Sequence, residues 1–144
     1  MTTVELLKKL TQNTYDSVAA YREAAEKTES KALEDLLRRR TGERTKVLNR
    51  MNDALEERGE SRIIDASVSG YAKNFMNSVT AAFVDGDEAA AKQVEKAEDE
   101  LLESFSNALK SQNIDTSVRM LIETAYRDIR EGERVTDMLE KQYA

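Results

Sequence analysis

Residues 30–59 run SKALEDLLRRRTGERTKVLNRMNDALEERG, with no proline, a serine at the start and a glycine at the end. A long helix is the simplest conformation for such a run, with Ser30 placed to cap it and Gly59 to end it. At about 100° per residue, Leu33, Leu36, Leu37, Val47, Leu48, Met51 and Leu55 share one stripe. A stripe that long must be buried against other helices, so the chain reads as a helical bundle. Arg40 and Arg44 stand at the centre of the stripe, where leucine is expected. Two guanidinium groups facing a core need carboxylate partners from elsewhere in the chain.

The rest of the sequence agrees with an all-helical domain. Proline is absent, only 5 glycines occur, and 35% of residues are charged. A chain of 144 residues fits one domain, residues 1–144, large enough to bury a core. Histidine and cysteine are both absent, which removes disulfides, thiolate and imidazole chemistry, and His or Cys metal ligation. The net charge is −6 with both signs interleaved, which argues against nucleic acid or an anionic membrane as partner. Arg38, Arg39 and Arg40 project around their helix and make no broad basic face. The opening MTTVELLKKL has neither the apolar run nor the cleavage site of a signal peptide, and no stretch is of transmembrane length. The expectation is a soluble, cytoplasmic protein.

Taken in order, the first helix starts at Thr2 or Thr3, where Thr2 and Glu5 have capping-box spacing, and ends near Lys27. Val4, Leu7, Thr11, Thr14, Val18, Tyr21 and Ala25 form its inward stripe. Glu5, Gln12, Asp16 and Glu23 gather on the other side as a solvated face. The short connection to Ser30 predicts an antiparallel hairpin. Beyond Gly59, residues 60–65 read as a polar loop and 67–84 as a shorter helix. Asp85, Gly86 and Asp87 read as a turn. A fourth helix runs from about residue 88 to 111, inward through Ala90, Val94, Ala97, Leu101, Phe105 and Ala108, with Glu98 on the same stripe. After a turn at 113–116, the last helix carries Val118, Leu121, Ile122, Ala125, Ile129, Thr136 and Leu139 inward.

Four of these helices have about 24 to 29 residues, roughly 36 to 43 Å, while the 67–84 helix reaches only about 27 Å. One short helix among four long ones predicts a crossover between parallel second and third main helices, the connectivity of a ferritin-like four-helix bundle. In that arrangement Arg40 and Arg44 lie level with residues 97–101, and Glu98 is their natural partner. Glu43 and Glu133 flank inward stripes at the same height, and Tyr126 can offer a hydroxyl. The predicted buried polar layer is therefore Arg40, Arg44, Glu98, Glu43 and Glu133. Glu95 lies further round its helix. Two readings of this layer compete. It is a salt-bridge network that fixes helix register, or its carboxylates Glu43, Glu98 and Glu133 hold iron or manganese in a carboxylate-bridged site. Such a site draws on Glu-x-x-His pairs. Glu43 is followed by Lys46 instead, and the arginines already supply positive charge. No metal, other cofactor or catalytic residue is expected.

The chain resembles a bacterial ferritin-like four-helix-bundle family of unknown function, distantly related to rubrerythrins and bacterioferritins. The likeness lies in Tyr21-Arg22-Glu23-Ala24-Ala25-Glu26, the helix start at residues 30–37, and Glu43-Arg44. It continues in Asp85-Gly86-Asp87-Glu88-Ala89, Val94-Glu95-Lys96-Ala97-Glu98-Asp99 and Glu133-Arg134-Val135. The resemblance implies a ferritin-like bundle in the cytoplasm with no established activity or substrate. Gly132 stands where members often carry a histidine, and Phe75 about where a tryptophan is common. The function expected is a non-catalytic structural or interaction role. The alternatives are the di-metal protein, with iron-handling or oxidase chemistry, and a helical adaptor for a homodimer or a protein partner.

Overall fold

The computed structural model describes residues 2–65 and 87–143, with side chains at 2–26, 28–65, 96 and 98–131. Helix α1 spans Thr3–Lys27, α2 Lys31–Glu57, α3 Asp87–Leu109 and α4 Thr116–Tyr143. No strand occurs among the described residues. No described helix is long and apolar enough to cross a membrane. The predicted 67–84 helix and the Asp85-Gly86 part of the predicted turn lie outside the described residues; Asp87 is the first residue of α3.

Local chemistry sets the helix ends. The Thr2 hydroxyl accepts from the Glu5 N–H at 3.1 Å while the Glu5 carboxylate accepts from the Thr2 N–H at 2.9 Å, a complete capping box. The Ser30 hydroxyl caps α2 by accepting from the Leu33 N–H at 3.2 Å. At the other end of α2, Gly59 adopts φ +79, open to glycine without a Cβ penalty. Its N–H reaches the Glu56 carbonyl and that of Glu60 reaches Leu55, a Schellman motif. The end of α3 is held from α4, because the Arg119 guanidinium donates to the carbonyls of Leu109, at 2.8 Å, and Ser111.

Three residues join α1 to α2, so these helices run antiparallel. Thr3 donates from its hydroxyl to the Asn113 carbonyl, placing the start of α1 against the α3–α4 turn. Tyr21, towards the other end of α1, meets Glu98, so α1 and α3 are antiparallel as well. It follows that α2 and α3 run in the same direction. The α2–α4 ion pairs Arg58–Asp115 and Arg50–Asp128 run in the order of an antiparallel pair. Packing is closest within the α1–α2 and α3–α4 hairpins, which then meet through α2 with α4 and α1 with α3. Helices α2 and α3 therefore face each other across the diagonal. The chain between Glu57 and Asp87 joins opposite ends of the bundle.

All four helices supply the apolar core of the end that holds the α3–α4 turn. Leu7 and Leu10 meet Val47, Met51, Leu55, Leu101, Phe105, Val118, Ile122 and Ile129 there. Each fully buried side chain of this kind stabilises the fold by about 1.5–3 kcal/mol before entropy is counted. Threonines within the stripes are accommodated because Thr11, Thr14 and Thr41 donate to carbonyls four residues back. One expectation is corrected: Asp16 is buried, not on a solvated face. The segment after α2 turns back over that side of the bundle. Asn52 grips Ile63 through both its amide groups, at 3.1 and 2.8 Å, and Gln12 bridges the Asp65 carbonyl and the Asp16 carboxylate, each at 3.0 Å.

Candidate functional site

The inward stripe of α2 carries Arg40 and Arg44 one helical turn apart, above the apolar core just described. Arg44 is 1% exposed and reaches across the diagonal to α3, where its Nη2 lies 2.8 Å from Oε2 of the equally buried Glu98. A long side chain ending in a planar cation suits a contact made across the diagonal. Nη1 of the same guanidinium donates to the Ser17 hydroxyl on α1 at 3.4 Å, and Ser17 in turn donates to the Thr14 carbonyl at 2.8 Å.

The second oxygen of Glu98 is also engaged. Tyr21 Oη, fully buried on α1, donates to Glu98 Oε1 at 2.6 Å. Both carboxylate oxygens thus have a donor, one from α1 and one from α2, a short charge-assisted arrangement. Burial raises the Tyr21 pKa well above its ordinary value, and the neighbouring Glu98 charge raises it further against the opposing pull of Arg44 and Arg40. The phenol is therefore a fixed proton donor. Burial works to lower the Arg44 pKa, but the charge and hydrogen bond of Glu98 outweigh it and the guanidinium lies above its usual range. The core of the layer is one cation, one anion and one neutral phenol.

Arg40 makes a lesser pair. Its Nη2 lies 2.9 Å from Glu43 Oε2 on the same helix, with Arg40 buried and Glu43 half-exposed. Arg40 Nε is buried and has no hydrogen-bond partner. Of the residues named from sequence, the structure joins Arg44 with Glu98 and Arg40 with Glu43, but Glu43 itself is exposed, a correction to its place in the predicted buried layer, because it flanks the inward stripe on the solvent side; the side chains of Glu133 and Glu95 lie outside those described. Tyr126 packs against the apolar core instead, and the phenol of the layer is Tyr21. Its signal was present: a tyrosine on a buried stripe needs an acceptor for its hydroxyl.

Among the described residues, this donor set does not fit a carboxylate-bridged pair of iron or manganese ions. Glu98 has both oxygens bound to Tyr21 and Arg44, and Glu43 turns to Arg40 at the solvent edge. A metal at Glu98 would have to displace a buried guanidinium and leave that charge unpaired. What the arrangement does chemically is hold three helices at one height through groups closed to solvent.

A family model described as a domain of unknown function (DUF2383) matches residues 2–111. The match takes in α1, α2 and α3, with Tyr21, Arg40, Glu43, Arg44 and Glu98. No curated protein matches the chain, and no solved structure does.

Proposed function

The chain belongs to the DUF2383 family, whose description assigns no role, and from the geometry of the polar layer we propose a non-catalytic ferritin-like bundle with a structural or interaction role. The observation that carries this reading is the saturation of Glu98. Where a bundle of this connectivity has room for a metal pair, an arginine from α2 supplies the positive charge and a phenol from α1 the second donor. Parallel α2 and α3, joined by a chain that must travel from one end of the bundle to the other, support the ferritin-like assignment. The protein works in the cytoplasm, and its partner is another protein or a second copy, not nucleic acid. The test is metal content after expression in medium supplemented with iron and manganese. The expected result is a trace, substoichiometric level. A near-integer ratio of metal to chain that disappears in Glu98→Ala would overturn the reading in favour of a metal centre.

A further inference from the structure

Between the start of α1 and the end of α3 lies a cleft of about 250 Å³. Its lining mixes four apolar side chains, Leu6, Leu10, Ala108 and Ile114, with seven polar ones, among them Lys9 and Asn113. Although the chain carries 28 acidic residues, none of those described lines this cleft. Lys8 is bridged to Glu60 at 2.9 Å, whereas its neighbour Lys9 is exposed and pairs with no acid among the described residues. The carbonyl end of α3, which would otherwise add negative potential here, is already covered by the guanidinium of Arg119. Among the described residues, an apolar strip lined by no acid lies beside an ammonium in no ion pair, which is complementary to a molecule with a hydrocarbon body and one negative charge.

We propose that this cleft binds a small monocarboxylic acid, with its hydrocarbon part on the Leu6–Leu10–Ala108–Ile114 strip and its carboxylate at Lys9. A dry cavity of roughly 150 Å³ takes benzene, so a space of this size suits roughly ten non-hydrogen atoms. A ligand that small at an open cleft binds with a Kd on the order of 1 mM. The inference is independent of the ionic layer, which lies deeper in the bundle.

The experiment is a titration of the full chain with hexanoate, followed by the amide NMR signals of Leu6, Leu10 and Ala108, with hexylamine as a charge-reversed probe of similar length. Hexanoate is expected to give saturable shifts and hexylamine none. Lys9→Met keeps the aliphatic stem and removes the charge at an exposed position, so the fold is retained; it should weaken hexanoate about fivefold, the scale of an exposed ion pair. Ala108→Leu, which fills the cleft, should abolish the shifts, and the Lys9→Met result stands if that variant does not fold. No saturable shift with hexanoate, equal shifts with hexylamine, or unchanged affinity in Lys9→Met would each overturn the proposal.

Discussion

At the scale of single residues, the question is what a buried ion pair contributes. Arg44 and Glu98 are both about 1% exposed and 2.8 Å apart, so neither can turn to solvent when the other is removed. Glu98→Ala should therefore cost about 3–5 kcal/mol, most of it from the guanidinium left behind in a low dielectric. Replacing both with leucine should cost much less, and the coupling term of a double-mutant cycle in urea separates these outcomes. A coupling near zero would show that the pair does not act as a unit. Tyr21 gives a second, pH-dependent prediction. Tyr21→Phe removes a hydrogen bond to a charged acceptor and should cost about 1.5–3 kcal/mol near neutrality. Because the native phenol titrates well above 10.0, it keeps its proton where the unfolded chain has lost it. The sign follows: this tyrosine adds no slope below pH about 9, and above it stability falls as pH rises until the native phenol ionises. The stability gap between wild type and Tyr21→Phe should therefore narrow from about pH 9 to pH 11. A gap constant over that range would mean the phenol is not held neutral by burial.

Two glycines make the case at the scale of elements, since the same substitution should act in opposite directions. Gly42 lies inside α2, exposed, and a Cβ added there would meet nothing within 4 Å, so its backbone freedom serves no contact of this chain. Gly42→Ala should stabilise by about 0.5–1 kcal/mol. Gly59 has φ +79 at the end of α2, and Gly59→Ala should destabilise by about 1–2 kcal/mol. Paired urea midpoints check both signs; a loss of stability in Gly42→Ala would show that the open space is needed. These ends are legible in the sequence because capping is local: Thr2 with Glu5, Ser30 and Gly59 act on groups within a few residues. The inward arginines are legible too, since a charge on an apolar stripe breaks a strong pattern. The burial of Asp16 and the partner of Tyr21 are not, for a shared reason. A wheel treats each helix as alone, so it cannot show the returning segment at Asn52 and Ile63, nor which helix brings an acceptor to a phenol.

For the whole molecule, the order and direction of the helices decide whether the layer exists at all, because Arg44 and Glu98 belong to helices joined through residues 58–86. Parallel α2 and α3 put residues 44 and 98 at one height, so every residue of α2 is level with the α3 residue 54 positions later. Glu57 then lies within about one residue of the height of Lys110, an axial offset of roughly 1.5 Å. Were α3 reversed about the same pair, the two positions would be about 25 residues apart in height, roughly 37 Å. Both are exposed, and the absence of cysteine from the chain means that two introduced thiols carry the only labels. Spin labels on Glu57→Cys and Lys110→Cys should therefore report a separation set by the width of the bundle. Neighbouring axes lie about 8–10 Å apart, which makes the diagonal roughly 11–14 Å before label length is added. A distance distribution centred near 40 Å would require α3 to run the other way. The ionic layer could then survive only at its pivot, the chain from Glu57 to Asp87 would no longer join opposite ends, and the ferritin-like reading would fall with it.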